Sequence, residues 1–271
     1  NSQLPSSGES VRADANGSSG GLLIGVDATT TSATNDASVF SYVADGSTLS
    51  VSGATQITAM NATRQVADAD SQGYGLVAAG ASVAHATATT TTKSWLGSNV
   101  DLDGDSLSIT AVGSDDNYAE TTAGAGGAIA GVGAEADTTN DATTLAEIKD
   151  GSGIITLNSG SSGAFVLGAD HTAEANNKIS AGTYGAFAGA GAESENTVSS
   201  DVTTSIGDGV TVFALDIQID STNAFRKPEL SGGKNIDGTA GSLLASGAKV
   251  SSETVLTFET IVEVEDNAAV Q

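Results

Sequence analysis

Gly124-Ala-Gly-Gly-Ala-Ile-Ala-Gly-Val-Gly-Ala-Glu-Ala136 decides how this chain is read, because related stretches recur along its length. Gly185-Ala-Phe-Ala-Gly-Ala-Gly-Ala-Glu193 is nearly the same text. Gly75-Leu-Val-Ala-Ala-Gly-Ala-Ser-Val83 and Gly241-Ser-Leu-Leu-Ala-Ser-Gly-Ala-Lys-Val250 are looser copies, and Gly21-Leu-Leu-Ile-Gly-Val-Asp-Ala28 is the most diverged. Aligned on the Ala of the Gly-Ala step, the copies anchor at Ala28, Ala81, Ala134, Ala192 and Ala248, spaced by 53, 53, 58 and 56 residues. A near-constant period of this size marks a repeat architecture.

Working outward from the anchors gives four units, 20–72, 73–123, 124–181 and 182–231, and an incomplete fifth, 232–271. Each holds extended segments with period-2 alternation, such as Leu49-Ser-Val51, Leu107-Ser-Ile109 and Leu215-Asp-Ile217-Gln-Ile219, the mark of half-buried strands. Thr, Val and Ile are frequent in these runs, and their β-branching suits a pleated surface. Asp45-Gly46, Asp150-Gly151 and Asp208-Gly209, with Gly97-Ser98-Asn99 in the second unit, supply corners where the backbone reverses with positive φ. Residues 1–19 are rich in Ser and Gly without periodicity and read as a flexible or subunit-linking arm. No extended helical pattern survives the Gly, Thr and Ser interruptions.

The expected fold is all-β, a parallel β-solenoid of about 4.5 units in which each unit makes about two coils, with stacked units burying a continuous core. The alternative is an antiparallel β-sandwich completed by a neighbour's strand. Gly beside Ala at each anchor points to closely stacked sheets.

Composition narrows the function. Nine Lys and Arg against 33 Asp and Glu give a net charge of −24, which repels nucleic acid and anionic lipid. No cysteine is present, so thiol and disulfide chemistry are excluded. Aromatic residues make up 4%, so the core must be thin and built from small side chains. No apolar run is long enough for a membrane-spanning helix, and no membrane insertion is expected. The chain opens at Asn1, and the expectation is a processed, secreted protein or a fragment.

Asp101-Leu-Asp-Gly-Asp105 is the sharpest local motif. Alternate carboxylates beside a Gly turn can converge on Ca²⁺, so Asp101, Asp103 and Asp105 are candidate ligands, with Asp115 and Asp116 as further donors. Position 112 is Val, where an EF-hand needs Glu. The alternative for the same motif is a solvated turn. His85 and His171, the two histidines, fit neither a catalytic triad nor a zinc spacing, and no Gly-x-Gly-x-x-Gly loop opens a helix. No catalytic residues are expected.

The last unit ends in a long alternating strand, 254–265. Phe258, Thr260, Val262 and Val264 share one face of it, and Glu259, Ile261, Glu263 and Glu265 the other. Val255, Phe258, Ile261, Val262 and Val264 are the candidate subunit contacts, because an alternating terminal strand either caps a sheet or pairs with another copy.

The Gly-Ala anchor, the Thr-rich run, the Asp-Gly corner and the Leu-x-Ile-x-Ala strand together resemble the repeats of large bacterial surface exoproteins of the filamentous-haemagglutinin type, over residues 20–265. The resemblance implies a secreted, elongated β-helical adhesin or surface fibre without catalytic residues. The expected function is therefore a non-enzymatic extracellular structural protein whose partners are copies of itself. The alternative is an adhesive, calcium-stabilised module that binds glycans or proteins at a cell or virion surface.

Overall fold

The structure is a computed structural model that describes residues 2–3, 10–151, 153–157, 163–227 and 235–271. A short antiparallel pair, β1 (Ser2–Gln3) with β2 (Val11–Gly20), opens the chain, and every other pairing is parallel. The first full coil consists of β3 (Ile24–Val43), β4 (Thr48–Ser50) and β5 (Ala54–Tyr74). The second repeats it as β6 (Val77–Leu96), β7 (Asp101–Gly104) and β8 (Ser106–Gly126). In the third, β9 (Ile129–Ile148) and β10 (Ile154–Leu157) lead into the first arm of β11 (Ala164–Ile206), whose second arm starts the fourth. That coil continues through β12 (Thr211–Ala214), β13 (Asp216–Arg226) and the start of β14 (Ile236–Val264). The rest of β14 and β15 (Ala269–Val270) form the fifth. No helix occurs among the described residues.

The chain is thus a parallel β-solenoid, and the antiparallel sandwich is not formed. One expectation needs correction: each unit is one coil, not two. Its long strands run 20 or 21 residues, well beyond the ~5–6 usual in globular proteins, so three strands consume a whole period. At about 3.3 Å per residue a coil is roughly 65 Å wide, while five coils spaced about 4.8 Å apart rise only roughly 24 Å. The unit is a thin blade with two long sheets, a short third sheet closing its base, and a tight corner at its apex. A second correction concerns the arm: residues 11–20 form β2, paired in parallel with Gln65–Tyr74. Residues 1 and 4–9 lie outside the described part.

Strand pairing also corrects the repeat alignment. Ala28 stacks on Ala81, Ala81 on Gly133, Gly133 on Gly191, and Gly191 on Lys249, so the true spacings are 53, 52, 58 and 58. The shift by one residue matters, because side chains alternate between faces. Ala134 and Ala192 point into the core, whereas Ala81 faces out. In the true register each corner lies 17 residues after its anchor: Asp45, Ser98, Asp150, Asp208 and Asp266 form one column. The next column, Gly46, Asn99, Gly151, Gly209 and Asn267, has positive φ throughout. Asp45 Oδ1 accepts from the Ser98 amide at 3.0 Å and Asp150 Oδ1 from the Asp208 amide at 3.1 Å, tying successive coils together.

Side-chain size tapers across the blade. At the base the core is Leu96, Leu102, Ile109, Ile155, Phe165 and their neighbours. Through the middle it is almost entirely Ala, including Ala33, Ala67, Ala84, Ala119 and Ala136. At the apex it is Ala78, Ala125 and Ala130, with Val132 packed against them. Where the sheets are this close, short polar side chains span the interior and bond to the opposite backbone. Ser94 Oγ donates to the Ile57 carbonyl at 2.7 Å, Ser82 Oγ to that of Thr122 at 2.6 Å, and Asn177 Nδ2 to that of Ala136 at 2.7 Å.

The glycines divide into two sets. A methyl group at Gly73 would overlap the Ala79 carbonyl oxygen, and one at Gly80 would sit 2.7 Å from the Gly124 carbonyl oxygen, so these positions need the bare backbone. Outward-facing Gly133 has nothing within 4 Å. Gly73→Ala is therefore expected to destabilise the protein by roughly 1–3 kcal/mol through overpacking. Gly133→Ala should leave stability unchanged or raise it slightly. Thermal melts of the two variants check this contrast.

Candidate functional site

The most distinctive surfaces are the two ends of the solenoid. β3 pairs with β6 on one side only, and the 245–264 arm of β14 pairs only with the second arm of β11. Among the described residues no strand covers either free edge. Each therefore presents a 20-residue row of backbone donors and acceptors.

The register shows which side chains these edges carry. Leu256, Phe258, Thr260, Val262 and Val264 continue the inward columns of Val198, Ser200, Val202, Thr204 and Ile206. Those columns are buried in the fourth coil but open in the fifth, where Phe258 is 40% and Val262 52% exposed. Three of the expected contact residues, Phe258, Val262 and Val264, belong to this uncovered core row. Val255 and Ile261 lie on the outer face. Leu256, not among the expected contacts, belongs to the same row, two residues from Phe258 in the strand's alternation.

The calcium candidates are not gathered. Asp101 and Asp103 project from the outer face of β7, while Leu102 and Gly104 point inward. Asp101 Oδ1 accepts the Ile154 amide at 3.1 Å. Asp105 lies at the turn into β8, and Asp115 and Asp116 are about ten residues further along that extended strand, roughly 30 Å away. Among the described residues, no group of three or more His, Cys, Asp or Glu side chains is placed to hold a metal ion.

The two histidines occupy opposite environments. His85 is on the surface, with Nδ1 3.2 Å from Asp137 Oδ2. His171 is fully buried on the first arm of β11, stacked in register above Gly113. A side chain at position 113 would strike the imidazole, so this glycine makes the room for it. His171 Nε2 lies 3.5 Å from Asp115 Oδ2, and Nδ1 lies 3.4 Å from Thr144 Oγ1. Asp115, equally buried, accepts hydrogen bonds from Thr63 Oγ1 and, at 2.7 Å, from Thr90 Oγ1. The two residues stand fully buried on neighbouring strands of one sheet, and their contacts with Thr90 and Thr144 reach the facing sheet. Phe225 and Arg226 end β13, and Lys227 follows.

Fold and edges together define a parallel β-solenoid in which, among the described residues, the outer edges of β3 and of the 245–264 arm are unpaired. Comparison with known proteins found no matching family model, no matching curated protein and no matching solved structure.

Burial pushes the His171 pKa below its usual 6.5, with Asp115 pulling it the other way. As pH falls below 6.5, the unfolded chain takes up a proton that the native state refuses, and stability is lost. Asp137 acts in the opposite sense. Burial, together with the hydrogen bond and charge of Glu135, raises its pKa to about 6, so its contribution is present at low pH and lost as pH rises through that value. Comparing wild type with His171→Asn separates the two effects. The difference in melting temperature should move in the variant's favour between pH 7.5 and pH 5; a difference independent of pH would exclude His171 from the acid response.

Proposed function

We propose that this protein is a non-enzymatic, secreted structural subunit that stacks end to end into an extracellular ribbon, each copy continuing the solenoid of the one before. The observation that carries the reading is the complementarity of the two free edges. If the column register that runs through the five coils is extended across a junction, the 245–264 arm of β14 falls opposite β3 of the next copy. Phe258 then faces Ala37, Val262 faces Ser41 and Val264 faces Val43, filling the open core row with large-on-small and apolar pairs. Ile261 meets Phe40 on the outer face. The charges fit as well: Glu253, Glu259 and Glu263 land on Ser32, Ser38 and Tyr42, while Asp36 lands on Thr257. No like charges meet along the 20-residue strand, in a chain that carries −24.

A head-to-tail contact of this kind does not close on itself and propagates as a filament. Backbone pairing supplies adhesion along the whole edge, and the row Leu256, Phe258, Val262 and Val264 supplies apolar burial at roughly 25 cal/mol per Å². The resemblance to surface exoprotein repeats favours an extracellular setting for such a ribbon.

The test charges the core row without touching the coils. In the isolated subunit Phe258→Asp and Val262→Asp stand on an uncovered surface, so the melting temperature should fall by no more than a few degrees. At a junction each carboxylate would be buried unpaired, at a cost of several kcal/mol. Electron microscopy should show ribbons for the wild type and isolated blades for the double variant. Ribbons of normal length from the variant, or none from the wild type, would defeat the proposal.

A further inference from the structure

The apex of the blade carries a second surface that end-to-end stacking leaves bare. At successive apex corners stand Leu22 and Leu23, Leu76, Phe187, and Leu243 and Leu244, with Leu22 94% and Leu243 90% exposed. Phe187 stacks with Ile24, Val77 and Ile129 in one exposed column along the solenoid axis, and the leucines stand beside that column at their corners. Isolated exposed apolar residues need no explanation, but a continuous strip along every coil does. The same strip is free of charge. Residues 20–26, 73–83, 123–134, 181–192 and 238–248 contain no Asp, Glu, Lys, Arg or His, although the chain holds 33 acidic and 9 basic residues. Two tyrosine rings lie along it, Tyr74 across Gly126 and Tyr184 across Gly241; the ring carbons stand 3.3 Å and 3.0 Å from where a Cβ would be.

We propose that the apex is a self-association surface, through which two copies pair edge to edge in antiparallel orientation. Charge selects the occupant. Self-contact through the carboxylate-rich faces of a −24 molecule brings like charges together, whereas the apex brings none. Geometry selects it too: a straight strip repeating about every 4.8 Å is matched at every step by another of equal pitch, and the copy's own apex provides one. The two end corners protrude furthest. Three residues, 21–23, link β2 to β3, and three, 242–244, separate Gly241 from Ala245 of β14, whereas two residues, 75 and 76, link β5 to β6 and two, 185 and 186, separate Tyr184 from Phe187 of β11. In an antiparallel pair Leu22 and Leu23 of each copy pack on Leu243 and Leu244 of the other, a two-fold contact of the isologous kind. The strip runs parallel to the stacking direction, so the same pairing would join two ribbons side by side.

The experiment uses the full chain carrying Phe258→Asp and Val262→Asp, in which stacking is blocked, so that failure of this proposal is separate from failure of the ribbon. Sedimentation equilibrium should give twice the 26.5 kDa chain mass. Adding Leu22→Ser and Leu243→Ser, both at exposed positions, should give a monomer with an unchanged melting temperature. Because the chain has no cysteine, a Leu22→Cys protein mixed with a Leu243→Cys protein should form a disulfide-linked heterodimer on oxidation. A monomer with the apex intact, a dimer that survives the serine substitutions, or cross-linked homodimers alone would each overturn the proposal. So would apex-dependent binding to phosphatidylcholine vesicles by a monomeric protein, which would make a neutral lipid surface the occupant.

Discussion

The separation of the two long sheets governs this molecule. It is set by the size of the side chains pointing between them, and those shrink from Leu, Ile and Phe at the base, through Ala, to bare Gly backbone at the apex. An interior this thin buries little apolar area per residue, so the usual source of stability is weak. Other interactions compensate. Parallel ladders of 20 residues pair nearly every backbone group, and Ser, Thr and Asn reach across to carbonyls of the facing sheet, fixing how the sheets sit on each other. Buried Asp115 and His171, on neighbouring strands of one sheet, reach the facing sheet through Thr90 and Thr144.

From that constraint the character of the ends follows. A coil whose strands run the full width of the blade leaves, at each end, an edge equally long, and no small loop can cover it. Globular sheets blunt their edges with short strands, bulges or inward charges. Here the inward row of the last coil is Leu256, Phe258, Thr260, Val262 and Val264 instead, with Phe258 and Val262 standing where the coil beneath has Ser200 and Thr204. Such a row is costly against water and favourable against another strand.

Much of this was legible in the sequence, and the misses share a cause. The period, the all-β class, the parallel stacking and four corners could be read from Gly-Ala anchors and Asp-Gly pairs. The fifth corner, Asp266 and Asn267, carries no Gly signal: Asn holds the left-handed position, as at Asn99, but no neighbouring Gly marks the turn as Gly97 does there. Coil length was misjudged because runs of Thr, Ser and Ala carry no break from which to measure a strand. The anchor slipped by one residue because Gly and Ala look alike on either face; only the pairing of Ala81 with Gly133 tells them apart. His171 gave no local hint of burial, since the space it fills is created by Gly113, 58 residues earlier. The alternate aspartates of β7 fit either a calcium site or a solvated turn in the sequence, and strand geometry sets Asp101 and Asp103 on the outer face of the short sheet. In each case the missing information was the register between coils.

The blade's proportions also determine how it responds to force. Hydrogen bonds between coils point along the solenoid axis, and the long strands of one coil provide about forty of them at roughly one per residue. Tension along the axis loads them together, so no coil can part until its whole width yields at once. A sideways pull on the apex loads only the bonds nearest the corner, and the coils peel one after another, as a zip opens from its end.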